Sequence, residues 1–227
     1  MFIFIILFMI LDIRVSTKKG VDYKIYTIKI PLYLKVLDFY DRNFNYKWLV
    51  SQIVSKHDSS QAKSLKIMDW TYKNISRQPA GLKAIDDHVW YIIVRGYGTR
   101  DQFSDVFATL CNYAGLRAFF DRIADKKNTS CTQLAFVEIN DKWSVFDPYT
   151  ATYFLNNRGQ MASVEDIAQK NWRPKNTAGD GKEAAYEYAA LLDNIESIDP
   201  EESYQWARSN IQSPLRRFFY GLIKRKF

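Results

Sequence analysis

Alternation and helical spacing divide most of the chain into elements. The segment DYKIYTIKI (22–30) alternates apolar and polar residues with the period of a strand. After Pro31 the pattern turns helical, with Phe44 and Trp48 one turn apart ahead of His57. A second helix is marked by Ala62, Leu65, Met68, Tyr72 and Ile75 at three- and four-residue spacing, closed by SRQPAG (76–81). IDDHVWYIIV (85–94) fits either a short helix or a strand. GYGTR (96–100) then breaks the pattern, and a helix opens near Arg100 or Asp101. Its stripe of Phe103, Val106, Phe107, Leu110 and Ala114 predicts a core-facing helix over about 101–114, with Gly115 as its C-terminal stop. Three strand patterns follow at 116–123, 132–140 and 142–149, the last two joined by the turn pair Asn140-Asp141. ATYFLNN (151–157) reads as a further edge strand. SVEDIAQK (163–170) reads as a short helix capped by Ser163 and Asp166. A loop over 171–181 leads to a helix over 183–194, and a last helical region runs from Asp199-Pro200 to the end, interrupted at Ser213-Pro214.

The first eleven residues, MFIFIILFMIL, are continuously apolar. A spanning helix needs roughly 20 such residues. A secretory signal carries positive charge before its apolar stretch, whereas here Arg14, Lys18 and Lys19 come after it. A buried strand therefore competes with a membrane-associated segment, and the trailing charges favour the second, with the body on the cytoplasmic side. The organisation expected is a hydrophobic segment over 1–20, one domain over 21–200 and a basic tail over 201–227.

Composition narrows the classes. With 227 residues, 47% hydrophobic and 16% aromatic, the chain can bury a sizeable core and is no disordered or low-complexity array. Two cysteines (Cys111, Cys131) and two histidines (His57, His88) supply neither a disulfide framework nor a convergent Cys/His zinc site, so no metal and no cofactor is expected. The net charge of +7 is concentrated at the ends: +2 over 1–20, +5 over 213–227 and zero between. A neutral body makes nucleic acid an unexpected partner. In SPLRRFFYGLIKRKF (213–227) the apolar Leu215, Phe218, Phe219, Leu222 and Ile223 share a helical face, ringed by Arg216, Arg217, Lys224, Arg225 and Lys226. That segment suits either an anionic membrane surface or packing on the body with its charges solvated.

GYGTRDQFSDVFATLCNYAGLRAFF (96–120) and FVEINDKWSVFDPY (136–149) resemble the transglutaminase-like superfamily, relatives of the papain-like cysteine proteases, with a weaker extension into IMDWTYKNI (67–75). The resemblance implies an α+β fold in which the buried helix packs on an antiparallel sheet, with extra helices at both ends. In that family a Cys opens the buried helix, where amides and the helix dipole favour its thiolate. A His on one strand takes the proton, and an Asp on the next orients the His. The corresponding positions here are Arg100, Leu134 and Asp147, so only the Asp keeps its residue type. A guanidinium supplies no thiolate and a leucine accepts no proton.

The resemblance therefore implies an inactive core acting as a binding or scaffold module, with a protein, a peptide or a cell-envelope glycan as partner. Arg100 is expected to pair with Asp147, with Asp105 and Glu138 as alternatives, in a relic pocket that also holds Asp101, Leu134 and Trp143. Two other readings stand beside it: a thiol hydrolase or acyltransferase using Cys131 or Cys111 with His88, and a membrane-surface structural protein.

Overall fold

The computed structural model describes residues 13–22, 24–86, 88–125, 130–177 and 184–207. The apolar run 1–11 and the basic segment 213–227, with Arg216, Arg217, Lys224, Arg225 and Lys226, lie outside them. The described chain is an α+β fold.

Strands β1 (Arg14–Val21) and β2 (Lys24–Pro31) form an antiparallel hairpin, to which β4 (Ile85–Asp86) adds through Gly20 and Val21. The charged stretch after the apolar run is thus a strand of the body, and the expected boundary at residue 20 falls inside it. Helix α1 (Leu32–Ile53) leaves the hairpin directly, and the Leu32 amide donates to the Ile13 carbonyl at 2.7 Å. Its core face is Arg42, Tyr46, Leu49 and Val50, whereas Phe44 and Trp48 point to solvent. Helix α2 (Ser60–Asn74) is capped by the Ser59 hydroxyl, which accepts from the Ala62 amide. It buries Ser64, Ile67, Met68 and Thr71, so its inward face is turned from the sequence stripe and leaves Tyr72 exposed.

The ambiguous segment 85–94 is both things in turn: β4, then helix α3 (Val89–Arg95), which ends on Gly96 at φ 71°. Tyr97–Gly98 (β5) pair in parallel with Ser76–Arg77 (β3) and aim the chain at helix α4 (Arg100–Tyr113). Gly98 is required there by crowding. A Cβ on it would stand 2.9 Å from Gln102 Oε1 and 3.0 Å from Gln102 Cβ.

Helix α4 is buried without a break from Gln102 to Cys111, more completely than one stripe implies. It ends in a Schellman arrangement: the Leu116 amide reaches the Cys111 carbonyl, the Gly115 amide reaches Asn112, and Gly115 sits at φ 85°. Beneath it lies a five-stranded antiparallel sheet in the order β10-β9-β8-β7-β6. Its strands are β6 (Ala118–Ala124), β7 (Cys131–Ile139), β8 (Lys142–Asp147), β9 (Thr152–Leu155) and β10 (Arg173–Asn176). Asn140 and Asp141 close the β7–β8 hairpin with φ 52° and 59°, the two left-handed residues of a type I′ turn. The strand at 152–155 is interior, because residues 173–176 of the expected loop pair with it. Pro174 is tolerated in that run because β10 is the sheet's edge.

Strand alternation gives the sheet two apolar faces. Ala135, Val137, Ile139 and Phe146 pack under α4, together with residues of α1 to α3. Phe119, Leu134, Phe136, Trp143, Val145 and Phe154 face the C-terminal cover of α5 (Val164–Ala168), α6 (Ala184–Leu192), a 3-10 turn at Ile195–Ser197 and α7 (Pro200–Trp206). The capping box of α5 uses Ser163 and Asp166, as its sequence predicts. Tyr204 of α7 is buried against Trp143, so the body extends past the expected boundary at 200. Among the described residues no helix is long and apolar enough to cross a membrane.

Candidate functional site

Arg100 is the first residue of α4, preceded by the tight GYG turn. Gln102 organises this start. Its Oε1 accepts from the Thr99 amide at 3.1 Å and from Arg95 Nη2 at 2.8 Å, and its Nε2 donates to the Ile85 carbonyl at 2.6 Å. Asp101, in the first turn, accepts from the Thr99 hydroxyl, and its carboxylate favours the positive end of the helix. Arg100 works against that dipole, so its charge needs a partner.

The partner is Asp147. Arg100 Nη1 lies 2.8 Å from Asp147 Oδ2 and donates also to the Thr132 hydroxyl at 2.8 Å. Asp147 is fully buried, while the Arg100 side chain keeps 35% of its exposure. The carboxylate is further satisfied by the Tyr188 hydroxyl on Oδ2 at 2.6 Å and the Tyr149 amide on Oδ1 at 3.0 Å. Tyr188 is buried, and that burial, reinforced by the adjacent Asp147 charge, holds its phenol well above the ordinary range and protonated as a donor. The Tyr149 ring lies between two guanidinium groups, 4.5 Å from Arg100 and 4.8 Å from Arg77.

Leu134 is fully buried on the face of β7 that carries Tyr188's neighbours. One step beyond the pairing of Ala135 with Phe146, the register sets it opposite Asp147. Arg100, Leu134 and Asp147 are thus a cation, a buried apolar side chain and the cation's buried counter-ion.

The other expected members of the pocket are elsewhere. Asp105 is buried one turn along α4, where it accepts from Thr109 at 3.5 Å; burial, reinforced by the Asp105 charge, raises the phenol of Tyr46. Glu138 and Trp143 pair across β7 and β8 four residues from Leu134 and Asp147, roughly 13 Å away along the strands. Glu138 accepts from Arg117 at 2.9 Å, and Trp143 Nε1 donates to Glu201 at 3.1 Å. Arg117 stacks on both Trp143 and Tyr204 and also pairs with Glu201. This second cluster fastens α7 to the sheet. Thr132, Tyr149 and Tyr188 are the site residues that sequence reasoning misses. Tyr188 stands 41 residues from Asp147, with no motif to mark it.

The Cys111 thiol does not reach the helix start. Cys111 is eleven residues along α4, about 16 Å away, and burial raises its thiol well above the ordinary range. Cys131 is exposed at the head of β7, next to the Thr132 that Arg100 bonds, and alternation puts it on the opposite face from Leu134. His88 precedes α3 beside Tyr91 and lines a groove with Asp38 and Lys18, on the side of the N-terminal hairpin. Iodoacetamide is accordingly expected to modify Cys131 in the native protein and Cys111 only after unfolding. Peptide-level mass spectrometry with and without denaturant checks this. Among the described residues no group of His, Cys, Asp and Glu is arranged to hold a metal ion.

Residues 47–148 match the family model of the transglutaminase-like superfamily. The chain carries a transglutaminase-like core. The matched stretch takes in the last two turns of α1, then α2 to α4 and β6 to β8, and ends one residue past Asp147. Solved structures similar to this chain include a candidate cysteine protease from Cytophaga hutchinsonii, at 16% identity and a TM-score of 0.42 over 60% of this chain and 47% of that one. A candidate protease from Parabacteroides distasonis is similar at 12% identity and a TM-score of 0.38 over 58% of this chain and 35% of that one. A TGase is similar at 15% identity and a TM-score of 0.38 over 80% and 61%. In each case the match spans less than two-thirds of the solved chain. No curated protein matches the sequence.

Proposed function

We propose that this transglutaminase-like core is catalytically inactive and serves as a binding or scaffold module, for a protein, a peptide or a cell-envelope glycan. The observation that carries the reading is the Arg100–Asp147 pair. The position that opens the buried helix, where the superfamily needs a nucleophile, holds a guanidinium bonded to the carboxylate that would otherwise orient a base. Leu134, packed in the apolar cluster across from Asp147, supports the same reading, since nothing at that position takes a proton. With Arg100, Leu134 and Asp147 serving as structure, the sheet and the helices on it remain as the scaffold for a partner.

Turnover of a glutamine-containing peptide, with amine and with water as acceptors, tests the proposal. The expected result is a rate equal to the uncatalysed one at all protein concentrations. A rate proportional to protein and abolished by Cys131→Ala or Cys111→Ala overturns the inactive reading.

A further inference from the structure

Helix α1 is apolar on two opposite sides. Its core residues Arg42, Tyr46, Leu49 and Val50 occupy one arc. Leu37, Tyr40, Phe44 and Trp48 are each more than half exposed and, at 3.6 residues per turn, occupy an arc about 180° away. A soluble helix is expected to present polar residues there. The exposure is also regional. Of sixteen large hydrophobic side chains exposed among the described residues, ten fall between Ile25 and Trp48. Ile28, Leu34 and Leu37 line a groove of about 870 Å³ between the β1–β2 hairpin and α1, with Lys18 and Lys19 among its walls. The patch is therefore one continuous surface along the groove and the helix. A cluster of this kind marks an interaction site.

We propose that this outward face of α1 and the adjoining groove seats on an anionic lipid bilayer, with the helix lying in the headgroup plane. Three observations select lipid. The stripe is dominated by Tyr40, Phe44 and Trp48, and Tyr and Trp are the side chains favoured at a membrane–water interface. The region is basic as well as apolar: residues 13–48 hold eight Lys and Arg against three Asp, with Lys18, Lys19, Lys24, Lys29 and Lys47 exposed. Of the acids, Asp38 is matched by Arg42 and by the Tyr91 hydroxyl at 2.9 Å. Finally, the eleven-residue apolar run of the sequence joins the described chain at Ile13, whose carbonyl is bonded to the first residue of α1. Ile13, where the described chain begins, thus lies at the head of the exposed stripe. The proposal does not rest on the core being inactive.

The test uses the full chain and mixed phosphatidylcholine–phosphatidylglycerol vesicles whose phosphatidylcholine carries bromine high on the acyl chains. Wild type and Trp48→Phe, a change at an exposed position, are compared by tryptophan emission, with sedimentation velocity in vesicle-free buffer alongside. The expected result is bromine quenching in wild type that exceeds quenching in Trp48→Phe by the whole Trp48 contribution, with a monomer in buffer. Equal quenching in the two proteins overturns the proposal, whether or not they bind vesicles. Equal quenching with a dimer that Phe44→Gln dissolves overturns it in favour of contact between two copies.

Discussion

Arg100→Ala is expected to cost about 2–3 kcal/mol of folding stability, read from urea unfolding at neutral pH. The loss comes mainly from what stays behind. Asp147 has no exposure to water and would keep only two neutral donors, the Tyr188 hydroxyl and the Tyr149 amide. Breaking a fully buried pair costs about 3–5 kcal/mol. The 35% exposure of the Arg100 side chain lowers that figure, because water entering the vacated space solvates the carboxylate in part. Arg100→Lys keeps a charge beside Asp147 but loses the planar guanidinium that lies over the Tyr149 ring, so an intermediate loss is expected. A loss below about 0.5 kcal/mol for Arg100→Ala would mean that the pair behaves as an ordinary surface contact.

The largest functional effect is a gain. Arg100→Cys alone is expected to stay inert, because Leu134 still leaves the thiol without a base. Arg100→Cys combined with Leu134→His places a thiol at the start of α4 and an imidazole opposite Asp147. Thiol-dependent acyl transfer about 10²-fold above wild type is expected. Tyr188 sets a limit on it. Its hydroxyl donates to Asp147 Oδ2 at 2.6 Å and competes with an imidazole for that carboxylate. Adding Tyr188→Phe is therefore expected to raise the rate further at some expense of stability. Steady-state kinetics of the single, double and triple variants checks the order, with circular dichroism to establish that each is folded. Inert double and triple variants that are folded would detach these positions from the superfamily's catalytic ones.

The central third of the fold is legible in the sequence because its signals are local. The Phe103, Val106, Phe107 and Leu110 spacing, the Gly115 stop and the Asn140-Asp141 turn each specify geometry within a few residues. The spacing from the GYG turn to Arg100, and from Trp143 to Asp147, then aligns the two walls of the site before any contact is visible. Other features depend on distant chain. β1 carries charges along a strand whose pairing with β2 and β4 supplies its order, and β10 is a polar, proline-bearing run made a strand by its neighbour at 152–155. Trp143 and Glu138 share a motif with Asp147, but strand rise carries them to the far end of the sheet, where α7 docks. Phe44 and Trp48 mark a helix by spacing and face outward, since periodicity identifies a stripe without saying which of two apolar stripes the core takes.

A double-mutant cycle on Arg100→Ala and Asp147→Asn measures the claim on which the account stands, that the superfamily's nucleophile position is occupied by one half of a structural ion pair. The account predicts a coupling free energy of about 1–3 kcal/mol between the two sites. Losses that add to within about 0.3–0.5 kcal/mol would contradict it, since Arg100 and Asp147 would then stabilise the fold independently.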